Sequence, residues 1–355
     1  MTSTISLDRF AETLASPGHV PEDSWRPYLV RLAAGEHPRF SALCREHGIA
    51  VLDTIERQLD ELAGLRSPAG QRVQLVETAD LAAYGCWAYL PWTEQVAHLL
   101  PPDEYLQVVT DRNRNKITSD EQRLLRTKRV GVLGLSVGAE AAVVIAQEHL
   151  CGHLVLADFD RLELSNLNRL GAGHADIGRP KTRIAARRIA AIDPYLQVTL
   201  LEEKITQDNV ENFLHGLDLL VEECDSAETK YATRTAARRL GLNVVYAADE
   251  RGFLSVEPYA THPDLPPFHG LVDPHLAASA DRITALVEWL GGPSALSERA
   301  KESVGLIGND LSGYPQLAGE ARYAAGQIAH VARRLLLGER LPPFHGHVDL
   351  AEAIT

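Results

Sequence analysis

At 355 residues, 45% hydrophobic and 23% charged, the chain has the make-up of a water-soluble globular protein with one large or two modest domains. A formal net charge of −13 excludes nucleic acid and anionic membrane as general partners, because either demands a basic face. No apolar run approaches a membrane span and residues 1–30 lack a charged-then-apolar leader pattern, so a cytoplasmic protein is expected.

Segments 7–15, 25–34, 39–47 and 49–65 carry apolar residues at helical spacing, which predicts a mainly helical accessory domain over residues 1–110. Segments 86–92 and 104–109 read as short strands around a Pro-Pro turn. Trp87, Tyr89 and Trp92 are expected to help this domain bind a substrate peptide or carrier, with packing as the alternative. Segment 111–118 holds Arg112, Arg114 and Lys116 in a polar connector, and a helix from Ser119 feeds the first strand of a second domain, residues 111–355.

That strand is the apolar run 130–133, of the kind buried in parallel sheets. A small-residue turn (Gly134, Ser136, Gly138), an Ala-rich helix and a second apolar run, 154–157, ending in Asp158 complete a mononucleotide-binding βαβ pattern. The turn amides and helix start face an anion, and Asp158 stands where a ribose hydroxyl needs an acceptor. Asp160, Asn166, Asn168, Arg169 and Lys181 follow within one short stretch. Hydride transfer has no use for the two cations, whereas a triphosphate does, since charge on the α-phosphate must be neutralised as pyrophosphate departs.

Beyond Lys181, helices at 181–192, 206–215 and 227–240 alternate with strands at 196–201, 217–221 and 243–247. This is a doubly wound, Rossmann-like, mostly parallel α/β sheet with helices on both faces, whose ligands lie at the carboxyl ends of the strands, where Asp158 and Asp225 both fall. Segment 252–259 reads as a strand, 281–290 and 315–337 as amphipathic helices, and the tail as an extended arm. His262, His269, His345 and His347 lack metal-ligand spacing and read as loop histidines. Cys44, Cys86, Cys151 and Cys224 form no C-x-x-C pair, so no zinc is expected and reduced, packed thiols are.

The stretch Asp158-Phe-Asp160, Ser165-Asn-Leu-Asn-Arg169, Gly178-Arg-Pro-Lys181 and the strand closing in Glu-Glu-Cys-Asp225 resemble the ThiF/MoeB-type adenylyltransferases of the ubiquitin-activating-enzyme superfamily. Residues 111–260 carry the resemblance, and the chain departs from it in the glycine turn and in lacking both the metal-binding cysteine pairs and the acceptor cysteine. The resemblance implies adenylylation of a carboxylate by ATP with release of pyrophosphate, the carboxylate being a small acid or the C-terminus of a peptide or small protein, in a biosynthetic setting. It implies that Arg169 and Lys181 neutralise phosphate charge, Asp158 accepts from ribose, Asn166 orients phosphate or ribose, Asp160 assists and Asp225 holds Mg²⁺. It further implies a homodimer in which Arg114, or Arg112 in reserve, reaches the partner's phosphates. Without an acceptor cysteine, the acyl-adenylate is passed directly to its nucleophile. Two other readings stand beside it: an NAD(P)-dependent oxidoreductase and a non-catalytic nucleotide-binding subunit.

Overall fold

The computed structural model describes residues 4–16, 24–67, 76, 78–272, 282–293 and 296–354. The chain divides into two compact units, Met1–Ser119 with Ala186–Gln197, and Asp120–Ala185 with Val198–Thr355.

The first unit holds strands β1 (Thr4–Ile5), β2 (Tyr28–Val30), β3 (Ala50–Asp53), β4 (Cys86–Leu90) and β5 (Gln95–Leu99) in the order β1-β2-β4-β5-β3. The inner pairs are antiparallel and the outer pairs parallel. Helices Leu7–Ala15, His37–Glu46, Ile55–Arg66 and Pro102–Val109 accompany them. Thus β2 and β3 occupy segments whose periodicity suggested helix, and 104–109, read as a strand, is helical. Short apolar runs satisfy both periods, and ladder pairing with β4 and β5 decides for β2 and β3. At the third segment, Pro102 in the first turn with Asp103 and Glu104 behind it favours a helix start.

The expectation of an aromatic substrate surface in this unit is also corrected. Trp87 and Tyr89 are 1% and 2% exposed. Their rings pack on Phe40 at 4.8 Å and on Phe10 at 5.3 Å between centroids, so they build the core of the unit. Trp92 is half-buried beneath the Arg187 guanidinium, 5.5 Å from its ring centroid.

The sheet of the second unit contains β6 (Arg129–Leu133), β7 (His153–Ala157), β8 (Gln197–Leu201), β9 (Leu219–Glu222), β10 (Val244–Ala247), β11 (Phe253–Glu257) and β12 (Phe344–His347). Its order is β12-β11-β10-β9-β6-β7-β8. Strands β10, β9, β6 and β7 run parallel, and β11 and β12 continue the sheet antiparallel, so the tail segment 344–347 is an edge strand. The helix Val137–Gln147 leaves β6 and is almost wholly buried, and its alanines and valines let the Ala-rich helix Ala318–Leu336 pack against it. The helix foreseen at 281–290 spans Arg282–Trp289, and residue 281 lies outside the described residues.

One polar cluster sits inside this apolar frame. Strands β9 and β11 end in Glu222 and Glu257, both fully buried, and the helix Ala227–Leu240 presents Lys230 and Arg234 to them from successive turns. Arg234 pairs with Glu222 through one nitrogen and donates to Glu257 Oε2 at 2.6 Å through Nε. Lys230 Nζ lies 3.3 Å from both Glu222 oxygens. Tyr259 Oη and the Phe268 amide donate to the remaining Glu257 oxygen at 2.6 and 2.7 Å. The cations also lie against ring faces, Lys230 over Tyr246 at 4.1 Å and Arg234 over Phe268 at 4.5 Å.

Two acids and two bases therefore balance within the cluster, and removing one leaves a buried charge unpaired. Arg234→Met is expected to lower unfolding free energy by roughly 3–5 kcal/mol, as broken buried pairs do. Chemical denaturation checks this, and a loss below about 1 kcal/mol would mean that packing alone, not charge pairing, holds these strands together.

Candidate active site

Strands β6, β7 and β9 end side by side, and the loops that leave them enclose a cavity of about 260 Å³. Gly134 makes the first turn possible. Its φ is +85°, and a Cβ there would lie 2.5 Å from the carbonyl carbon and oxygen of Glu223, so only glycine lets the β6 turn pass this close to the end of β9. Gly138 serves packing instead: a Cβ would meet Val132 Cγ1 at 3.0 Å, and the residue lets the helix Val137–Gln147 settle on the sheet.

Asp158 is 8% exposed and both of its oxygens are engaged. The Leu135 amide donates to Oδ2 at 2.6 Å and the Asp160 amide to Oδ1 at 2.7 Å, which ties the β6 and β7 turns together. Burial raises its pKa against the pull of these amides and of Lys181. Lys181, at the start of the helix Lys181–Ile192, donates from Nζ to Asp160 Oδ2 at 2.9 Å with its side chain 12% exposed. Its own amide donates to the Asp160 carbonyl at 3.0 Å, so cation and acid are fixed to each other twice. Ser136, Asp158, Asp160, Lys181 and Asp225 line one wall or another of this cavity, with Asp225 exposed at its mouth.

Arg169 approaches from outside the lining. Its Nε donates to Ser136 Oγ at 3.3 Å and its Nη1 to Asn168 Oδ1 at 2.9 Å, which brings the guanidinium to the rim. Asn166 is buried in the short turn before it, and its Oδ1 accepts from the Glu163 amide at 3.0 Å. The structure thus gives Asn166 the task of holding the turn that carries Arg169 and does not bring it to the cavity wall. Arg112 and Arg114 lie in the first unit, both exposed, and Arg114 pairs with Asp111.

A second cavity, of about 170 Å³, shares Ser136, Glu223, Cys224 and Asp225 with the first. Asp249, Glu250, Tyr246 and Tyr314 give it polar groups, and Leu290, Leu296 and Ile307 an apolar side. No motif marks this cavity in the sequence. Its one signal is a pair of acids at the end of β9, Glu222-Glu223, and another after β10, Asp249-Glu250. Glu223 and Glu222 are adjacent yet shifted in opposite directions. Burial raises the Glu223 carboxyl well above the carboxylate range, while Lys230 and Arg234 hold Glu222 below it despite full burial. Burial also pushes Asp249 up to about 6, opposed by its own amide, Gln316 and the Arg169 charge. The Cys224 thiol is driven well above its usual range by burial and then by Glu222, so it is a protonated wall group and not a thiolate.

Fold and cleft together define a Rossmann-like α/β protein with a mononucleotide-type turn and two cations at its mouth. Residues 110–261 match the family model described as the ThiF family. An uncharacterized protein, MT1398, of Mycobacterium tuberculosis (strain CDC 1551 / Oshkosh) is 38% identical over 344 residues, covering 94% of this chain and 47% of the relative. The sulfur carrier protein ThiS adenylyltransferase of Escherichia coli (strain K12) is 30% identical over 134 residues, 37% of this chain and 53% of the relative. The chain spans about half the length of these curated relatives. Among solved structures, the E. coli tRNA N6-threonylcarbamoyladenosine dehydratase TcdA in complex with ATP superposes with a TM-score of 0.48 and 20% identity over 67% of this chain and 97% of that one.

The Asp158 brace generates a prediction. Asp158→Ala orphans the buried Leu135 amide, at a cost of about 1–3 kcal/mol, and the part-buried Asp160 amide, at less, and is expected to lower stability by that order. Asp158→Asn keeps an acceptor and is expected to lose clearly less. Equal denaturation midpoints for wild type and Asp158→Ala would show that the carboxylate braces nothing.

Proposed function

We propose that the protein activates a carboxylate by ATP-dependent adenylylation, forming an acyl-adenylate and releasing pyrophosphate. The observation that carries this reading is Lys181, fixed on Asp160 inside a cavity that Asp158 and Asp225 also line, with Arg169 held at the rim through Ser136. The ThiF-family match and a relative named for adenylylating the sulfur carrier protein ThiS support it. The substrate is a small acid or the C-terminus of a peptide or small protein, and the reaction belongs to the cytoplasm, where ATP is supplied.

In the reaction a carboxylate oxygen attacks the α-phosphorus in line as the bond to pyrophosphate breaks. Lys181 contributes a compact charge and Arg169 a planar fork to the phosphate oxygens, and both are positioned beforehand by the contacts described, so little reorganisation opposes the transition state. The tight Gly134 turn lets the end of β6 pass close to Glu223 at the end of β9, where a side chain would collide. Asp225, an exposed carboxylate at the mouth, would hold Mg²⁺. Among the described residues no three side chains form a complete metal site, so phosphate oxygens and water would fill the shell. Bound there, Mg²⁺ would neutralise phosphate charge. The protonated Cys224 and the lack of a cysteine in 247–257 favour direct transfer of the acyl group without an enzyme thioester.

Pyrophosphate exchange into ATP, run against a panel of carboxylates, tests the activity. Arg169→Ala and Lys181→Ala are each expected to lower exchange by roughly 10²-fold or more, the effect of losing one preorganised charge. Near-normal exchange in the double variant would refute the assignment. The arm reading adds a homodimer in which Arg114 acts on the partner's nucleotide. Arg114→Ala and Lys181→Ala proteins, each nearly inactive, should then recover roughly a quarter of wild-type activity after subunit exchange, because about half the dimers are mixed and each has one intact site. Full activity in a monomer would exclude this arrangement.

A further inference from the structure

We propose that the second cavity receives an ammonium group of the substrate: the protein takes a carboxylate that also bears a protonated amine on a short apolar frame, and Asp249 pairs with that amine. The inference rests on the adenylylation reading only in placing the substrate's carboxylate toward the nucleotide cavity. The two cavities share Ser136, Glu223, Cys224 and Asp225, so a small molecule in one is in immediate reach of the other.

The charges call for a cation. Asp225, Asp249 and Glu250 all line this cavity. Its one lining base, Lys230, is held by Glu222 and lies over the Tyr246 and Trp289 rings at 4.1 and 4.9 Å. Glu250 is satisfied by the Tyr314 hydroxyl at 2.7 Å and the Ser297 amide at 3.4 Å. Asp249 is not. It is 8% exposed, and its Oδ2 is buried with no hydrogen-bond partner among the described residues. With a pKa of about 6 the group is largely ionised at pH 7, and although Gln316 bonds to the carboxylate, its Oδ2 stays buried and unpartnered. An ammonium brings three donors and a positive charge to add to the more distant one of Arg169, which reaches Asp249 only through its field. Beside it, Leu290, Leu296 and Ile307 offer a surface that only an alkyl or aromatic frame fills without stranding polar groups. A bare metal ion is the poorer occupant, since no metal-holding group of three side chains exists among the described residues.

The test uses the full chain with AMP bound and two amides that cannot be adenylylated. L-Leucinamide carries the ammonium, and 4-methylpentanamide is its desamino counterpart. Isothermal titration is expected to show leucinamide binding at least about tenfold more tightly than the neutral amide, the scale of one hydrogen bond to a charged group. Asp249→Asn should remove that difference while AMP affinity and Tm stay unchanged, and Asp249→Ser serves as a second variant should Asn disturb folding. Equal binding of the two amides, no leucinamide binding to a chain that binds AMP, or undiminished leucinamide affinity in both variants would overturn the proposal. Because neither amide reacts, such a failure leaves pyrophosphate exchange intact as a separate result. Loss of exchange dependence on Arg169 and Lys181 would instead strike the activity itself.

Discussion

The placement of Arg234 between Glu222 and Glu257 is the interaction on which the second unit depends. It joins the ends of β9 and β11 across the intervening β10, deep in an apolar interior where neither carboxylate has access to water. Apolar side chains of similar volume would hold the same strands at less electrostatic risk. The charged arrangement adds directionality: the guanidinium fork and the lysine accept one geometry, and that geometry fixes where the loops after β9 and β10 leave the sheet. Those loops carry Asp225 and Asp249, and Lys230 of the same cluster lines the second cavity, so the cluster bears on the geometry of the site.

The same cluster explains how neighbouring acids are shifted in opposite directions. Lys230 and Arg234 hold the Glu222 carboxyl below the usual carboxylate range, whereas Glu223, on the other side of the strand, accepts from the Ala247 amide at 2.9 Å and is raised well above that range by burial. A strand's alternation thus separates an ionic anchor from a hydrogen-bonding wall group within one residue.

Much of this was legible in the chain. The apolar runs of β6 and β7, the glycine turn and the terminal Asp158 located the cleft, and Ser226 and Gly241 bound the helix Ala227–Leu240 as capping chemistry requires. The motif also gathered Asp160 and Lys181 near one strand end, though not their pairing with each other. Other features depended on information that local pattern does not hold. Tyr28–Val30 and Ala50–Asp53 are strands only because β4 and β5 offer partners, a non-local fact. Trp87 and Tyr89 read equally as surface or core until Phe10 and Phe40 are seen to cover them. Asn166 and Gly138 stand at motif positions yet serve the turn and the helix seat, because spacing reports that a residue is required and not which neighbour requires it. Asp249 was invisible as a site residue since its character comes from burial and an empty hydrogen-bonding position.

The helix that begins with Lys181 ends in the other unit: Ala186–Gln197 belongs with the first 119 residues. There the Tyr105 hydroxyl donates to the Ile192 carbonyl, Tyr195 Oη to that of Leu100 at 2.7 Å, and Arg187 Nε to that of Ser24 at 2.8 Å. The first unit is therefore assembled from two separated pieces of chain, one of them lying inside the ThiF-matching span. Such a unit does not shuffle between genes as a cassette. A cut after residue 119 would separate the unit from its second piece, which carries the buried Ile189. Inheritance of the two parts is coupled by a single rod of backbone, whatever the chemistry at either end.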